Sequence, residues 1–199
     1  SSQPSWEPVD SNARIVYQTN DDSIIYLDIV YGFSFGAMSF LNYGVAIMNN
    51  DGSGKMFLTD PNTSNSIEPV WNPSGTHVYY SRQEGAGNYE IWKVTPEATG
   101  HEVVVSVSGD CRYPCLNPSG TVVVYANNRT GEYQLYSYEL ATGTETRLTQ
   151  NTSECTRPTY TPDGDYVVYT RYSPEGEPSI WRIKTDTLED AEWNNPDGL

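Results

Sequence analysis

The sequence predicts an all-β chain of four repeated four-stranded sheets, and three observations carry that prediction. A phrase recurs, as VWNPSGTHVYYSR at 70–82, CLNPSGTVVVYAN at 115–127 and TYTPDGDYVVYTR at 159–171. Its glycines, Gly75, Gly120 and Gly164, are spaced by 45 and 44 residues, a period that belongs to repeat architectures. Short runs rich in Val, Ile, Thr and Tyr lie between clusters of Pro, Gly, Asn and Asp, and no stretch sustains an apolar period of 3.6.

Each element follows from the repeat. Pro69, Pro114 and Pro158 open successive copies, and Pro4-Ser5-Trp6-Glu7-Pro8 followed by ARIVYQT at 13–19 supplies a fourth, earlier one. In the third copy YPCLN enters, Pro118-Ser119-Gly120 turns, TVVVYAN returns, RTGE turns, YQLYSYEL runs out, ATGTE turns and TRLTQ closes. Turns this short make neighbouring strands antiparallel, so each repeat is a meander. Proline is expected at the edge of the first strand, where it sets φ for the turn and the ladder is ending. The predicted repeats cover 4–68, 69–113, 114–157 and 158–199 of a single domain. One such sheet leaves an apolar face bare, whereas four can stack face to face around an axis as a β-propeller.

The phrases P-x-W-N-P-S-G at 69–75, P-x-L-N-P-S-G at 114–120 and P-x-Y-T-P-D-G at 158–164, with F-L-T at 57–59 and R-L-T at 147–149, resemble the TolB-type, WD-like propeller repeat. The resemblance covers nearly the whole chain and concerns fold far more than chemistry. It implies an exported protein, periplasmic or secreted, and the opening SSQPSW, without methionine, reads as a mature form. Propellers of this kind are most often six-bladed or larger. With four repeats, the expectation is either a closed four-bladed ring or an arc completed by another copy or by further sequence. EWNNPDGL at 192–199 reads as the lead-in to a fifth repeat.

Composition narrows the function. Twenty-six acidic against 11 basic residues give a net charge of −15, which repels phosphate backbones and anionic headgroups, so nucleic acid is not expected as a partner. The most apolar stretch, Ile24 to Met48, is broken by Asp28, glycines and polar residues, so no membrane insertion is expected. His77 and His101 are the only histidines, and no G-x-S-x-G, phosphate loop or dinucleotide fingerprint occurs, so no catalytic residue is nominated. No cofactor is expected. The closely spaced oxygen donors of Asn49 and Asp51 in NNDGSG make a weak calcium candidate, although Asn-Asp-Gly is also a hairpin turn in its own right.

What varies around the repeat is expected to carry function. About twenty extra residues in the first repeat, at 21–43, hold Phe33, Phe35, Met38 and Phe40, an apolar excursion that packs on its own propeller or docks a partner. Tyr89, Tyr113, Tyr133 and Tyr172 fall near turns, outside the strand positions where tyrosine and tryptophan recur, and could build an aromatic surface for a peptide or a glycan. Cys111, Cys115 and Cys155 are disulfide candidates in an exported chain, with pairing left open. The expectation is a non-catalytic binding or scaffolding module with a protein partner, a second copy or a glycan. The alternatives are a subunit of a homopolymer, or the propeller domain of a polysaccharide lyase or peptidase.

Overall fold

A computed structural model describes residues 5–6, 14–19 and 42–193. Each sheet is built from four consecutive strands in meander order. The first holds β1 (Ser5–Trp6), β2 (Arg14–Thr19), β3 (Gly44–Asn49) and β4 (Met56–Phe57); the second β5 (Asn65–Trp71), β6 (Val78–Gln83), β7 (Glu90–Val94) and β8 (Glu102–Val105). The third holds β9 (Cys111–Leu116), β10 (Val122–Asn127), β11 (Gln134–Glu139) and β12 (Glu145–Arg147); the fourth β13 (Cys155–Tyr160), β14 (Tyr166–Tyr172), β15 (Pro178–Lys184) and β16 (Asp190–Glu192). All pairings are antiparallel. The insert residues Phe33, Phe35, Met38 and Phe40 lie outside the described residues.

Three cores lie between successive sheets. Val16, Val45, Ile47 and Leu58 of the first sheet meet Trp71, Val78, Tyr80 and Val94 of the second. Tyr79, Ile91 and Val105 meet Leu116, Val123, Tyr125 and Tyr136. Val124, Ala126 and Leu135 meet Val167, Tyr169 and Ile183. Of the two arrangements left open by the sequence, the sheets take the open one: they form an arc and do not close into a ring.

The recurring turn also serves this stacking. Gly120 has φ +69°, and a Cβ there would sit 3.5 Å from Cδ of Pro73 in the preceding sheet; Gly164 has φ +81° and would sit 3.3 Å from Pro118. Glycine is needed for the left-handed backbone and lets each turn lie on the proline of the turn before it.

The prolines are placed differently from the sequence expectation. Pro69, Pro114 and Pro158 stand inside the inner strands, because β5, β9 and β13 begin three or four residues ahead of them. In each strand the register shifts there, and the residue just before proline takes a left-handed backbone: Glu68 at φ 58°, Tyr113 at 57° and Arg157 at 53°. The bulge removes these residues from the ladder, so proline's missing N–H costs no strand hydrogen bond.

The chain end also differs. Trp193 donates its amide to the Ile180 carbonyl at 2.8 Å, as Leu58 does to Val45 and Leu148 to Leu135. Trp193 therefore closes the fourth sheet, and residues 194–199 of the EWNNPDGL stretch lie outside the described residues. The Trp193 side chain is 43% exposed where Leu58 is 2%, and Ile180 is 48% exposed where Val45, Ile91 and Leu135 are fully covered by the following sheet.

The buried tyrosines in the middle of β6, β10 and β14 reach polar partners. Tyr80 bonds His101 Nδ1 at 3.1 Å, Tyr169 donates to Asp190 Oδ1 at 2.7 Å, and Tyr125 donates to Glu145. Glu145 also accepts from Arg129 Nη2 at 2.5 Å, and that guanidinium lies 3.9 Å from the Tyr136 ring centre. Burial pulls the Glu145 carboxyl upward, but the hydrogen bonds from Arg129 and Tyr125 outweigh it and hold it below the usual glutamate range. A carboxyl depressed by folding stabilises the fold above the unfolded value of about 4.3, and that contribution disappears as pH falls through the lower folded value. Glu145→Gln is therefore expected to lose stability at pH 7, with the deficit shrinking once the pH drops below about 4. Urea melts of both proteins at pH 7, 5 and 3.5 check this; a constant deficit would contradict it.

Candidate functional site

The inner strands and the turns that follow β6, β10 and β14 converge on one end of the arc. Tyr89 immediately precedes β7, Tyr133 precedes β11 and Tyr172 ends β14, which puts all three at the same end of their sheets. The carbonyls of Tyr43, Tyr89 and Tyr133 accept the amides of Ser66, Cys111 and Cys155 at 2.7, 2.8 and 2.8 Å, each stitching one sheet to the next. Tyr113 joins them from its bulge.

Two arginines organise these rings. Arg112 lies 4.6 Å from the Tyr89 ring centre and 5.1 Å from that of Tyr113, and Arg157 lies 5.5 Å from Tyr113. Nη1 of Arg157 donates to the Tyr172 hydroxyl at 3.1 Å. Asn65 Nδ2 donates to the Tyr89 hydroxyl at 2.5 Å. Burial raises the phenols of Tyr89 and Tyr113 and pushes Tyr133 up to about 12, so all three stay protonated and neutral at physiological pH.

Beneath the rings, Glu68 joins the second and third sheets. Its Oε1 accepts from Arg112 Nη2 at 2.6 Å, and its Oε2 from the Tyr113 amide at 2.7 Å and the Ser81 hydroxyl at 2.9 Å. The Glu68 amide in turn donates to Gln18 Oε1 of the first sheet at 2.9 Å. Sequence reasoning named the four tyrosines and missed Gln18, Glu68, Arg112 and Arg157. A signal was present: Glu68, Tyr113 and Arg157 each stand just before a repeat proline, where one residue type would be expected if the position were architectural only.

The other nominated residues lie elsewhere. Asn49 and Asp51 are occupied within their own turn, where Asn49 Nδ2 donates to the Ser53 hydroxyl at 3.0 Å and Asp51 Oδ1 accepts from the Ser53 amide and hydroxyl at 2.9 and 2.7 Å. Among the described residues no three of His, Cys, Asp and Glu gather as metal ligands. The three cysteines are free buried thiols, Cys111 in the second core and Cys115 and Cys155 in the third. Burial raises all three, Cys111 to about 11 and Cys115 to about 12, which leaves them poor nucleophiles.

A cleft of about 630 Å³ opens between the first two sheets and includes Phe57, Pro61, Thr63, Arg82 and His101. Burial lowers the His101 pKa, so its ring is neutral at pH 7, and the hydroxyl bonded to it is that of Tyr80. His77 bonds Thr76 in an exposed turn. Neither histidine is set between a nucleophile and an orienting carboxylate among the described residues.

Stacked four-stranded meanders with a shared left-handed bulge define the chain as part of a β-propeller. The family model for the TolB beta propeller domain matches residues 18–192, and the chain belongs to that family. Among solved structures it is similar to TolB from Acinetobacter baumannii, with TM-score 0.68 and 16% identity over 96% of this chain and 42% of that one. A putative TolB from Agrobacterium tumefaciens aligns with TM-score 0.73 and 14% identity over 90% and 60%. A puromycin-hydrolyzing peptidase from Mycobacterium tuberculosis aligns with TM-score 0.68 and 13% identity over 96% and 29%. These identities concern the fold alone, and the chain spans between 29% and 60% of the length of those proteins.

Proposed function

We propose that the chain is a non-catalytic binding module, exported from the cytoplasm, that holds a protein partner against the tyrosine and arginine face formed by Tyr113, Tyr133, Arg157 and Tyr172 and backed by the buried Tyr89. The observation that carries this reading is the gathering of four aromatic rings and two guanidinium groups, from three sheets, at one end of the arc. Tyrosine and arginine are the residues interfaces favour, because rigid amphipathic rings give contact area and the guanidinium gives directed hydrogen bonds. Residence outside the cytoplasm rests on likeness to TolB proteins. No metal or cofactor enters the reading.

The test is binding of the intact chain to arrayed peptides and oligosaccharides, beside a Tyr89→Ser/Tyr172→Ser variant, with the bound molecules analysed for chemical change. Retention of peptides by the parent, loss by the variant and unaltered ligands are expected. Cleaved peptides or eliminated sugars would replace this reading with that of an enzyme's propeller domain, which the likeness to the peptidase favours. Self-association is a second reading, carried by the uncovered Ile180 and Trp193. Light scattering that gives about 22 kDa across a concentration series would remove it.

A further inference from the structure

The bulge amide has a side-chain acceptor from the preceding sheet in two sheets and, among the described residues, none in the fourth. In the second sheet the Glu68 amide meets Gln18 Oε1 of the first sheet at 2.9 Å. In the third, the Tyr113 amide meets Glu68 Oε2 of the second at 2.7 Å. In the fourth sheet the same position is Arg157, with the same left-handed backbone at φ 53°. The third-sheet residues at the places of Gln18 and Glu68 are Ala126 and Tyr113, a methyl and a phenol where an amide and a carboxylate stood. Among the described residues no side-chain oxygen bonds the Arg157 amide.

The surroundings suit an incoming anion. Arg157 is exposed, and its guanidinium is held over the Tyr113 ring and against the Tyr172 hydroxyl. Arg82, Arg112, Arg129 and Arg171 make ion pairs; among the described residues Arg147, Arg157 and Arg182 make none, and of these three Arg157 is the exposed one. Arg112 beside it is already neutralised by Glu68. An exposed cation without a carboxylate is conspicuous on a chain of net charge −15. A carboxylate that reached the Arg157 amide would meet a backbone donor and a guanidinium together, as Glu68 meets the Tyr113 amide and Arg112.

We infer that the Arg157 bulge is a seat for a carboxylate carried on an acidic side chain of a protein partner, the external counterpart of Glu68. This rests on the binding-face reading above and names the group that the face recognises. A glutamate side chain is favoured over other carboxylates because the chain itself fills the preceding bulge with one.

The test is an amide NMR titration of the ¹⁵N-labelled chain with sodium N-acetylglutamate, with N-acetylglutamine amide and sodium galacturonate as parallel arms at constant ionic strength. A saturable shift of the Arg157 amide is expected with N-acetylglutamate only, at least tenfold weaker in Arg157→Gln. In Tyr113→Glu the shift should vanish, because the new carboxylate fills the seat from within. Should that variant fail to fold, Arg157→Gln alone decides. An Arg157 amide that ignores all three probes while signals of Tyr89 or Tyr172 respond overturns the carboxylate seat and leaves the binding face standing. Silence across the whole face overturns both. An equal response to the neutral amide, or a stronger one to galacturonate, overturns recognition of an acidic side chain.

Discussion

Glu68→Ala is expected to lower stability by about 3 kcal/mol, with Arg112→Ala close behind, because each leaves its partner's charge mostly buried and unanswered. Glu68 and Arg112 are only 15% and 22% exposed, and the carboxylate also answers the Tyr113 amide and the Ser81 hydroxyl. Removing it therefore strips four donors at once, Nε and Nη2 of Arg112, the Tyr113 amide and the Ser81 hydroxyl. The double variant Glu68→Ala/Arg112→Ala should lose less than the sum of the two, since the second truncation no longer strands a charge. Urea melts of the four proteins measure this coupling. Additive losses would show that the pair is not the joint between the sheets.

Leu135→Ala is expected to cost about 3 kcal/mol and Ile180→Ala under about 1 kcal/mol, although the two residues hold the same place in successive sheets. Leu135 is fully covered by the fourth sheet, while Ile180 is 48% exposed on the outer face of that sheet. The pair isolates the effect of a following sheet from that of the repeat itself. Equal losses in thermal melts at low protein concentration would mean that something covers Ile180 in solution, and the self-association reading would gain accordingly.

Much of this fold was legible in the sequence because its repeat is spelled out in residues with strong backbone preferences. Gly75, Gly120 and Gly164 mark the turns, and Tyr80, Tyr125 and Tyr169 mark the second strands, where they are buried as expected. The prolines misled by a few residues, because proline signals a break in the ladder and a bulge breaks it as well as a strand end does. Trp193 misled in a similar way, since W-N-N-P-D-G resembles the turn phrase while its amide closes the fourth sheet on Ile180.

The candidate site was legible in part. Four tyrosines stood out as surplus to the repeat, but their gathering depends on Arg112 and Arg157, whose partners lie 44 and 15 residues away. Gln18 reaches Glu68 across 50 residues, and no local pattern announces such a contact. The tyrosine hydroxyl partners show the same limit. Glu145 and Asp190 open the fourth strands of their sheets and His101 immediately precedes its own, and three different side chains at one structural position conceal their common task.

Native-state hydrogen exchange at the three bulge amides would test the account most directly. Two of them are bonded to side chains across the sheet boundary and the third has no side-chain acceptor among the described residues, so the Glu68 and Tyr113 amides should exchange slowly and the Arg157 amide at least a hundredfold faster. Equal protection at all three positions would mean that the fourth sheet is joined like the others, and the carboxylate seat inferred at Arg157 would not exist.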